Sequence, residues 1–256
     1  MHTAAGDKSQ NIRIPAFQCP KRVLISGGTT GMGRATARLL ALCGSSVFVH
    51  GRDPRKLAEA LSSIRGEGGK IDGSPADISK PNEVRRVFEE AEASMGGLDA
   101  WIDCAAVGWS DAIDAKESVW EETMGTNLLG AICGGKEAAA RFKRQGRGNI
   151  VLVGSMSAEV KEARSSVYVA SKCGIRGLAA SLRKELNKDG IGVFLVEPGA
   201  CDTDMSTALP DERKRLVEKQ EMLTAEDVAS AILFLLTRRP GCDVITMQIR
   251  PSRQFI

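Results

Sequence analysis

The chain has 256 residues, 43% of them apolar and 26% charged, with a formal net charge of +3 at neutral pH. That balance describes a globular protein with material for an ordinary core, and its basic residues are interleaved with acidic ones rather than gathered into a nucleic-acid or membrane-surface patch. Only two histidines are present, His2 and His50, which excludes His-rich metal chemistry and argues against a Ser-His-Asp hydrolase.

Residues 1–19 lack the apolar centre of a signal peptide and are expected to form a flexible tail ahead of a single domain spanning 20–256. The first strand is expected over Arg22–Ser26 (RVLIS), followed at once by SGGTTGMG and a helix closed by Gly44. Gly27, Gly31 and Gly33 in that turn permit tight bending, close backbone approach to a ligand and close helix packing, and the helix N-terminus offers free N–H groups to a pyrophosphate. The turn residues Gly27, Thr29, Thr30, Gly31, Met32 and Gly33 are therefore candidate dinucleotide contacts. A second strand, SVFVH, ends at His50, read as a strand-end residue, and leads to Gly51 and Arg52. An acidic residue would suit the 2'-hydroxyl of NAD here; a guanidinium suits the 2'-phosphate of NADP. The competing reading makes Arg52 a surface arginine and Asp53 the N-cap of the following helix.

The next helix is expected to open at Ser79, with Pro81 in its first turn, and to close at Gly96. Further buried strands are expected at AWIDC (100–104), NIVLV (149–153), GVFLV (192–196) and DVITMQI (243–249). The basic run RFKRQGR (141–147) reads as a solvated helix end and turn. SSVYVASKCGIRG (165–177) holds the single tyrosine of the chain, Tyr168, four residues before Lys172; on a helix the two side chains share a face. TAEDVASAILFLL begins with Thr224 and Asp227 in a capping-box arrangement. Strand and helix alternate throughout, which predicts an α/β protein with a parallel sheet covered on both faces. The seven cysteines are odd in number and form no CxxC pair, so neither a disulfide framework nor a metal site is indicated, and reduced thiols of a cytoplasmic protein are expected.

From about residue 20 to 250 the chain resembles the short-chain dehydrogenases/reductases. SGGTTGMG, ADIS (76–79), TNLLG (126–130), GSMS (154–157), YVASK (168–172) and EPGACDT (197–203) follow the family's order and spacing. The resemblance implies a Rossmann fold, a doubly wound sheet of seven parallel strands in three α/β/α layers, and an oxidoreductase interconverting a secondary alcohol and a carbonyl with NADP(H), NAD(H) being less favoured. It places the catalytic set on Asn127, Ser155, Tyr168 and Lys172, with Ser157 as the alternative serine. A free phenol is a poor acid at neutral pH, and Lys172 together with the cationic nicotinamide of an oxidised cofactor would favour its ionised form. Lys172 would also bond the nicotinamide ribose, Ser155 would hold the substrate oxygen, Asn127 would position a water and Tyr168 would exchange the proton. Asp77 and Ile78 match the adenine-contacting pair, and Pro198, Gly199 and Thr203 the segment around the nicotinamide.

One stretch departs from the family: Asp103, Cys104, Ala105 and Ala106 stand where Asn-Asn-Ala-Gly is usual, beside the adenine ribose. The fit of that turn and an oxidisable Cys104 are the questions it raises, and it is the feature that would suit the alternative function, a non-catalytic NADP-binding redox sensor or scaffold. The charged, amphipathic segment 201–223 is expected to be a mobile substrate loop. Small residues at 105–108 and Trp109 suggest a mostly apolar substrate wall. The ending ITMQIRPSRQ resembles that of NADP-dependent dehydrogenases of serine and other small 3-hydroxy acids, which would have Arg213, Lys214 or Arg215 meet a carboxylate. The family implies a homotetramer or homodimer built through segments 117–144 and 165–187, and a small-molecule substrate with no nucleic-acid or membrane partner.

Overall fold

A computed structural model describes residues 19–254 apart from 109, 207 and 240, so the expectations for the first 18 residues and for Trp109 lie outside the described residues. Seven strands form one sheet in the order β3-β2-β1-β4-β5-β6-β7. They are β1 (Arg22–Ser26), β2 (Ser46–Gly51), β3 (Lys70–Pro75), β4 (Ala100–Asp103), β5 (Gly148–Val153), β6 (Ile191–Pro198) and β7 (Thr246–Ile249), and each adjacent pair runs parallel. Because β1 pairs with β2 on one side and β4 on the other, the chain reverses its winding between β1 and β4, and the crevice at their C-terminal ends is the place where such sheets bind ligands.

Alternation of side chains along the strands divides the core in two. Leu24, Phe48, Trp101, Ile150, Leu152, Val193 and Leu195 face α3 (Pro81–Met95), α5 (Gly130–Gln145) and α7 (Ser166–Leu186). Their neighbours Val23, Ile25, Val49, Ile102, Val151 and Val196 face α1 (Gly31–Leu42), α2 (Pro54–Gly66) and α9 (Ala225–Leu236). The remaining helices are α4 (Glu117–Met124), the single turn α6 (Ser157–Val160) and α8 (Pro210–Glu218).

Several local expectations hold. Asp53 caps α2 by accepting from the backbone N–H groups of Arg55 and Lys56, Thr224 and Asp227 form the reciprocal capping box of α9, and Gly96 ends α3 in the left-handed region. Others need correction. The segment Lys70–Pro75 is a strand although Ile71 is its one large apolar residue, because it lies at the sheet edge and needs to bury only one side. The helix expected from Ser79 begins at Pro81; the Ser79 hydroxyl instead donates to Asp77 Oδ1 at 2.7 Å. The last strand is four residues long, and Asp243, expected within it, lies outside and pairs with Arg183. Within the basic run, Arg141 is 8% exposed and is held by Glu92 and Glu137 over the ring of Phe88, and Phe142 is buried, so only residues 143–147 are solvated. Segment 117–144 is α4 and α5 joined by a π-helical turn, Gly125–Leu129, which carries Asn127. No helix among the described residues is long and apolar enough to cross a membrane.

An ion pair between a buried carboxylate and a partly exposed guanidinium binds the site-bearing helix to the sheet. Glu197 in β6 is fully buried and accepts from Arg176 Nε and Nη2 of α7, both at 2.9 Å, and from Gln248 Nε2 of β7 at 3.0 Å. Removing the guanidinium would strand a buried carboxylate, the costly way to break such a pair. We expect Arg176→Met to lose about 3–5 kcal/mol of stability, and Arg176→Met/Glu197→Leu to recover much of it, both measured by thermal unfolding. A loss below about 1 kcal/mol would mean the pair behaves like a solvated surface contact.

Candidate active site

Two adjoining cavities open at the C-terminal edge of the sheet. The first, of about 240 Å³, is lined by the glycine-rich turn after β1, the end of β2 and the segments after β3 and β4. Its floor exists because Gly27 (φ +69°) passes against β4: a Cβ there would come within 2.7 Å of Ala105 Cα. A Cβ on Gly33 would collide with the carbonyl oxygen of Gly27, so the first turn of α1 sits directly against the loop. Thr30 is the N-cap of α1 and gives it no side-chain hydrogen bond, which leaves the opening amides to a ligand.

Gly27, Thr29, Thr30, Gly31, Met32, Gly33, Arg52, Ile78, Cys104, Ala105, Ala106 and Thr203 all line this cavity. Asp77 does not: its Oδ1 accepts from the backbone and hydroxyl of Ser79, while its neighbours Ala76 and Ile78 face the space. Sequence reasoning missed Lys56, which lines the cavity one turn into α2, four positions after Arg52. Both cations bridge to acids across the mouth, Arg52 to Glu122 of α4 and Lys56 to Asp204 at 3.8 Å. A cradle that excludes side chains, a helix N-terminus and two basic groups, Arg52 after β2 and Lys56 in α2, form a donor set that fits an anionic nucleotide.

The second cavity, of about 220 Å³, shares Met32, Thr203 and Met205 with the first. Ser155, Ser157, Tyr168, Pro198 and Gly199 line it. Tyr168 and Lys172 occupy successive turns of α7, 8% and 3% exposed, with Lys172 Nζ 5.7 Å from the Tyr168 ring centre. Lys172 Nζ donates to the Val153 carbonyl at 3.0 Å, which fixes the ammonium at the end of β5. Ser155 Oγ donates to Ser157 Oγ at 3.1 Å, so the two candidate serines form one network. Asn127, expected in the catalytic set, sits in the π-helical turn beside α7. Its side chain accepts from Val107 N (2.8 Å) and donates to Val107 O (2.9 Å) and Ser171 Oγ (3.2 Å), clamping the loop after β4 to α7 without lining either cavity.

The basic residues expected at the substrate are also elsewhere. Arg213 pairs with Asp202 at 2.7 Å, Lys214 is 73% exposed near Asp211, and none of Arg213, Lys214 and Arg215 lines the second cavity. The segment 201–223 is held at its neck, where Asp202 N donates to Leu223 O and Leu223 N to Ala200 O, both at 2.8 Å. It carries α8, which has no buried residue, as expected of a segment that covers a site rather than filling a core. Gln254 Oε1, accepting from Ala200 N at 3.1 Å, closes the cavity from the C-terminal side.

The unusual turn after β4 keeps its form. Cys104 N donates to Ser26 O at 3.0 Å and Ala105 N to Asp103 Oδ1 at 3.3 Å. Burial pushes the Cys104 thiol up, and the Asp103 charge adds to this, which favours the protonated thiol. Burial likewise pushes the Asp103 carboxyl up to about 7, against the opposing pull of Lys172 and the Ala105 N–H. His50, buried at the end of β2 with Nε2 2.9 Å from Ser26 Oγ, is held down at about 4 by burial and stays neutral.

A short chain dehydrogenase family model matches residues 21–214. An uncharacterised oxidoreductase of Staphylococcus aureus strain MRSA252 is 29% identical over 233 residues, covering 90% of this chain and 97% of that protein. The 3-oxoacyl-[acyl-carrier-protein] reductase of Staphylococcus aureus strain Mu50 is 31% identical over 221 residues, covering 84% of this chain and 90% of the reductase. Among solved structures, a short-chain type dehydrogenase/reductase from Mycobacterium ulcerans superposes with a TM-score of 0.82 at 26% identity, covering 91% of this chain and 89% of the other. A variant of actinorhodin polyketide ketoreductase with NADPH has the same fold, with a TM-score of 0.82 at 23% identity over 91% of this chain and 97% of its own.

The Asp103 shift carries a pH signature. The unfolded chain releases this proton near ~4, whereas the native state keeps it up to about 7. The native state therefore binds more protons between these values, and stability falls as pH rises through that window. Asp103→Asn should remove this slope, so its gain in melting temperature is expected to be larger at pH 8 than at pH 5. An equal shift at both would show that Asp103 is ionised throughout.

Proposed function

The chain belongs to the short-chain dehydrogenase/reductase family of oxidoreductases, and from that premise we propose that it interconverts a secondary alcohol and a carbonyl using NADP(H), with Tyr168 as the acid-base group. The observation that carries this reading is the pairing of Tyr168 with Lys172 on one face of α7, at a cavity that holds Ser155 and adjoins the glycine cradle. When bound, the nicotinamide nucleotide supplies or accepts the hydride. Ser155 holds the substrate oxygen by a hydrogen bond, and Tyr168 Oη gives that oxygen a proton on reduction or takes one on oxidation. Lys172, fixed by Val153, holds its ammonium 5.7 Å from the centre of the phenol ring. Asn127 acts as a positioning residue through its clamp on Val107 and Ser171. Pro198, Gly199 and Thr203 would border the nicotinamide end, and Arg52 with Lys56 would take the 2'-phosphate.

Binding without turnover has weaker support, because the turn on which it rested retains its hydrogen bonds at Cys104 and Ala105. The seven unpaired thiols suit a reducing compartment, and we assign the protein to the cytoplasm. The α4, π-turn and α5 stretch leaves Val119, Leu129 and Ile132 37–45% exposed, which supports self-association into a homodimer or homotetramer through this face. Sedimentation at micromolar concentration should give a multiple of the single-chain mass; a lone monomer would overturn that assignment.

Two further measurements test the reading. Tyr168→Phe should lower turnover by about 10²–10⁴-fold while leaving cofactor affinity nearly unchanged; retained turnover would move the proton to another group. In fluorescence titrations NADPH should bind more tightly than NADH, and Arg52→Ala and Lys56→Ala should each weaken NADPH far more than NADH. Equal losses for both nucleotides would remove the phosphate role from these residues.

A further inference from the structure

Besides Ser155 and Tyr168, the second cavity holds a carboxyl group, that of Glu162, in the loop between α6 and α7. It is the one acidic or basic side chain among the described residues that line this space. Its Oε1 accepts from Ser157 Oγ at 3.0 Å, and Ser157 accepts in turn from Ser155 Oγ at 3.1 Å, so Glu162 lies two hydrogen bonds from the serine that meets the reacting oxygen. Its Oε2 is buried and has no partner among the described residues. A buried acceptor left unmade is costly, so an unpaired one on a side chain that lines a cavity points to a donor that arrives with the ligand.

Two of the neighbouring cations are committed elsewhere. Arg176 binds Glu159 and Glu197, and Lys161 donates to the Glu159 carbonyl. Lys161 and Arg164 on either side of Glu162 both adopt left-handed backbone conformations (φ 58° and 65°), which set the course of the loop that presents it. The rest of the wall near it is apolar, including Met156, Val160, Met205 and Met222.

We propose that Glu162 is the specificity-determining residue of the substrate cavity: its carboxylate accepts a hydrogen bond from a hydroxyl or ammonium group of the substrate, a few bonds from the carbon that gains or loses hydride. The inference rests on the oxidoreductase reading of the same cavity. A carboxylate or phosphate at that position meets a like-charged group with no basic residue in the lining, so the preferred substrates are hydroxy- or amino-ketones and the matching diols or amino alcohols. This replaces the 3-hydroxy acid expected from the C-terminal resemblance.

The test compares four substrates of equal carbon skeleton with NADPH: a simple ketone, its α-hydroxy and α-amino derivatives, and the corresponding keto acid. In the unmodified protein kcat/KM should favour the hydroxy- or amino-ketone over the simple ketone by at least about tenfold, and the keto acid should be poorest. Glu162→Gln should shrink the advantage of the amino-ketone most, and Glu162→Arg should raise the keto acid above it. If Glu162→Gln instead lowers all four equally, the residue only orients Ser157 and Ser155, and the proposal fails while the oxidoreductase reading stands. If no substrate turns over, that reading loses its support. Binding then decides for Glu162: thermal-shift midpoints with NADP⁺ present and a diol, an amino alcohol or their methyl ethers added. Stabilisation by the donor-bearing ligands alone, lost in Glu162→Gln, supports the proposal; equal stabilisation by the ethers overturns it.

Discussion

The backbone of Gly27 passes the loop after β4 so closely that a Cβ on Gly27 would meet the Ala105 backbone at 2.7 Å, and this approach sets the form of the C-terminal edge. It brings the turn after β1 against Ala105, draws the first turn of α1 down onto Gly27 and leaves a crevice rather than a packed core where the winding of the sheet reverses. The second cavity depends on the same arrangement, since Met32 at the start of α1 separates it from the first. From the other side, α7 is anchored by Arg176 on Glu197 and by Lys172 on Val153, so the helix that carries Tyr168 is tied to β5 and β6 near their C-terminal ends. The nucleotide cradle and the tyrosine are thus set by backbone approach and buried polar contacts, and the loop 201–223 only covers them.

Asp103, Cys104 and Lys172 form a compact electrostatic unit beneath these cavities. Burial disfavours charge on both acids, while Lys172 favours it on each. A carboxyl where the family has an amide therefore gives the lysine a partner whose charge depends on pH near neutrality. The ammonium is held by the neutral Val153 carbonyl whatever the state of Asp103, which lets the departure be tolerated without moving the lysine.

Much of this was legible in the sequence because it depends on short-range pattern. Buried strands such as β1 and β5 are continuous apolar runs, and Tyr168 and Lys172 are one helical turn apart on any helix. What was not legible depends on partners distant in the chain. β3 is a strand because β2 offers it an edge, not because KIDGSP has a strand pattern. Asn127 is a clamp because Val107 lies opposite it, 20 residues away, and Arg213 is unavailable to a substrate because Asp202 claims it. Lys56 stood four residues beyond Arg52, a spacing that was available as a signal. Glu162 carried none, since its meaning lies in the absence of a cation around one oxygen.

The contact between Lys56 and Asp204 joins the mouth of the nucleotide cleft to the segment over the substrate cavity. Both groups are well exposed, so the contact itself is weak, worth no more than about 1 kcal/mol. Its position matters more than its strength. An anion that takes Lys56 releases Asp204, and whatever draws Asp204 away makes Lys56 more available, so nucleotide affinity and the posture of the covering segment must be thermodynamically linked, each altering the other by the same factor. Salt screens that contact, and ionic strength therefore acts on the coupling itself as well as on the affinity for the nucleotide.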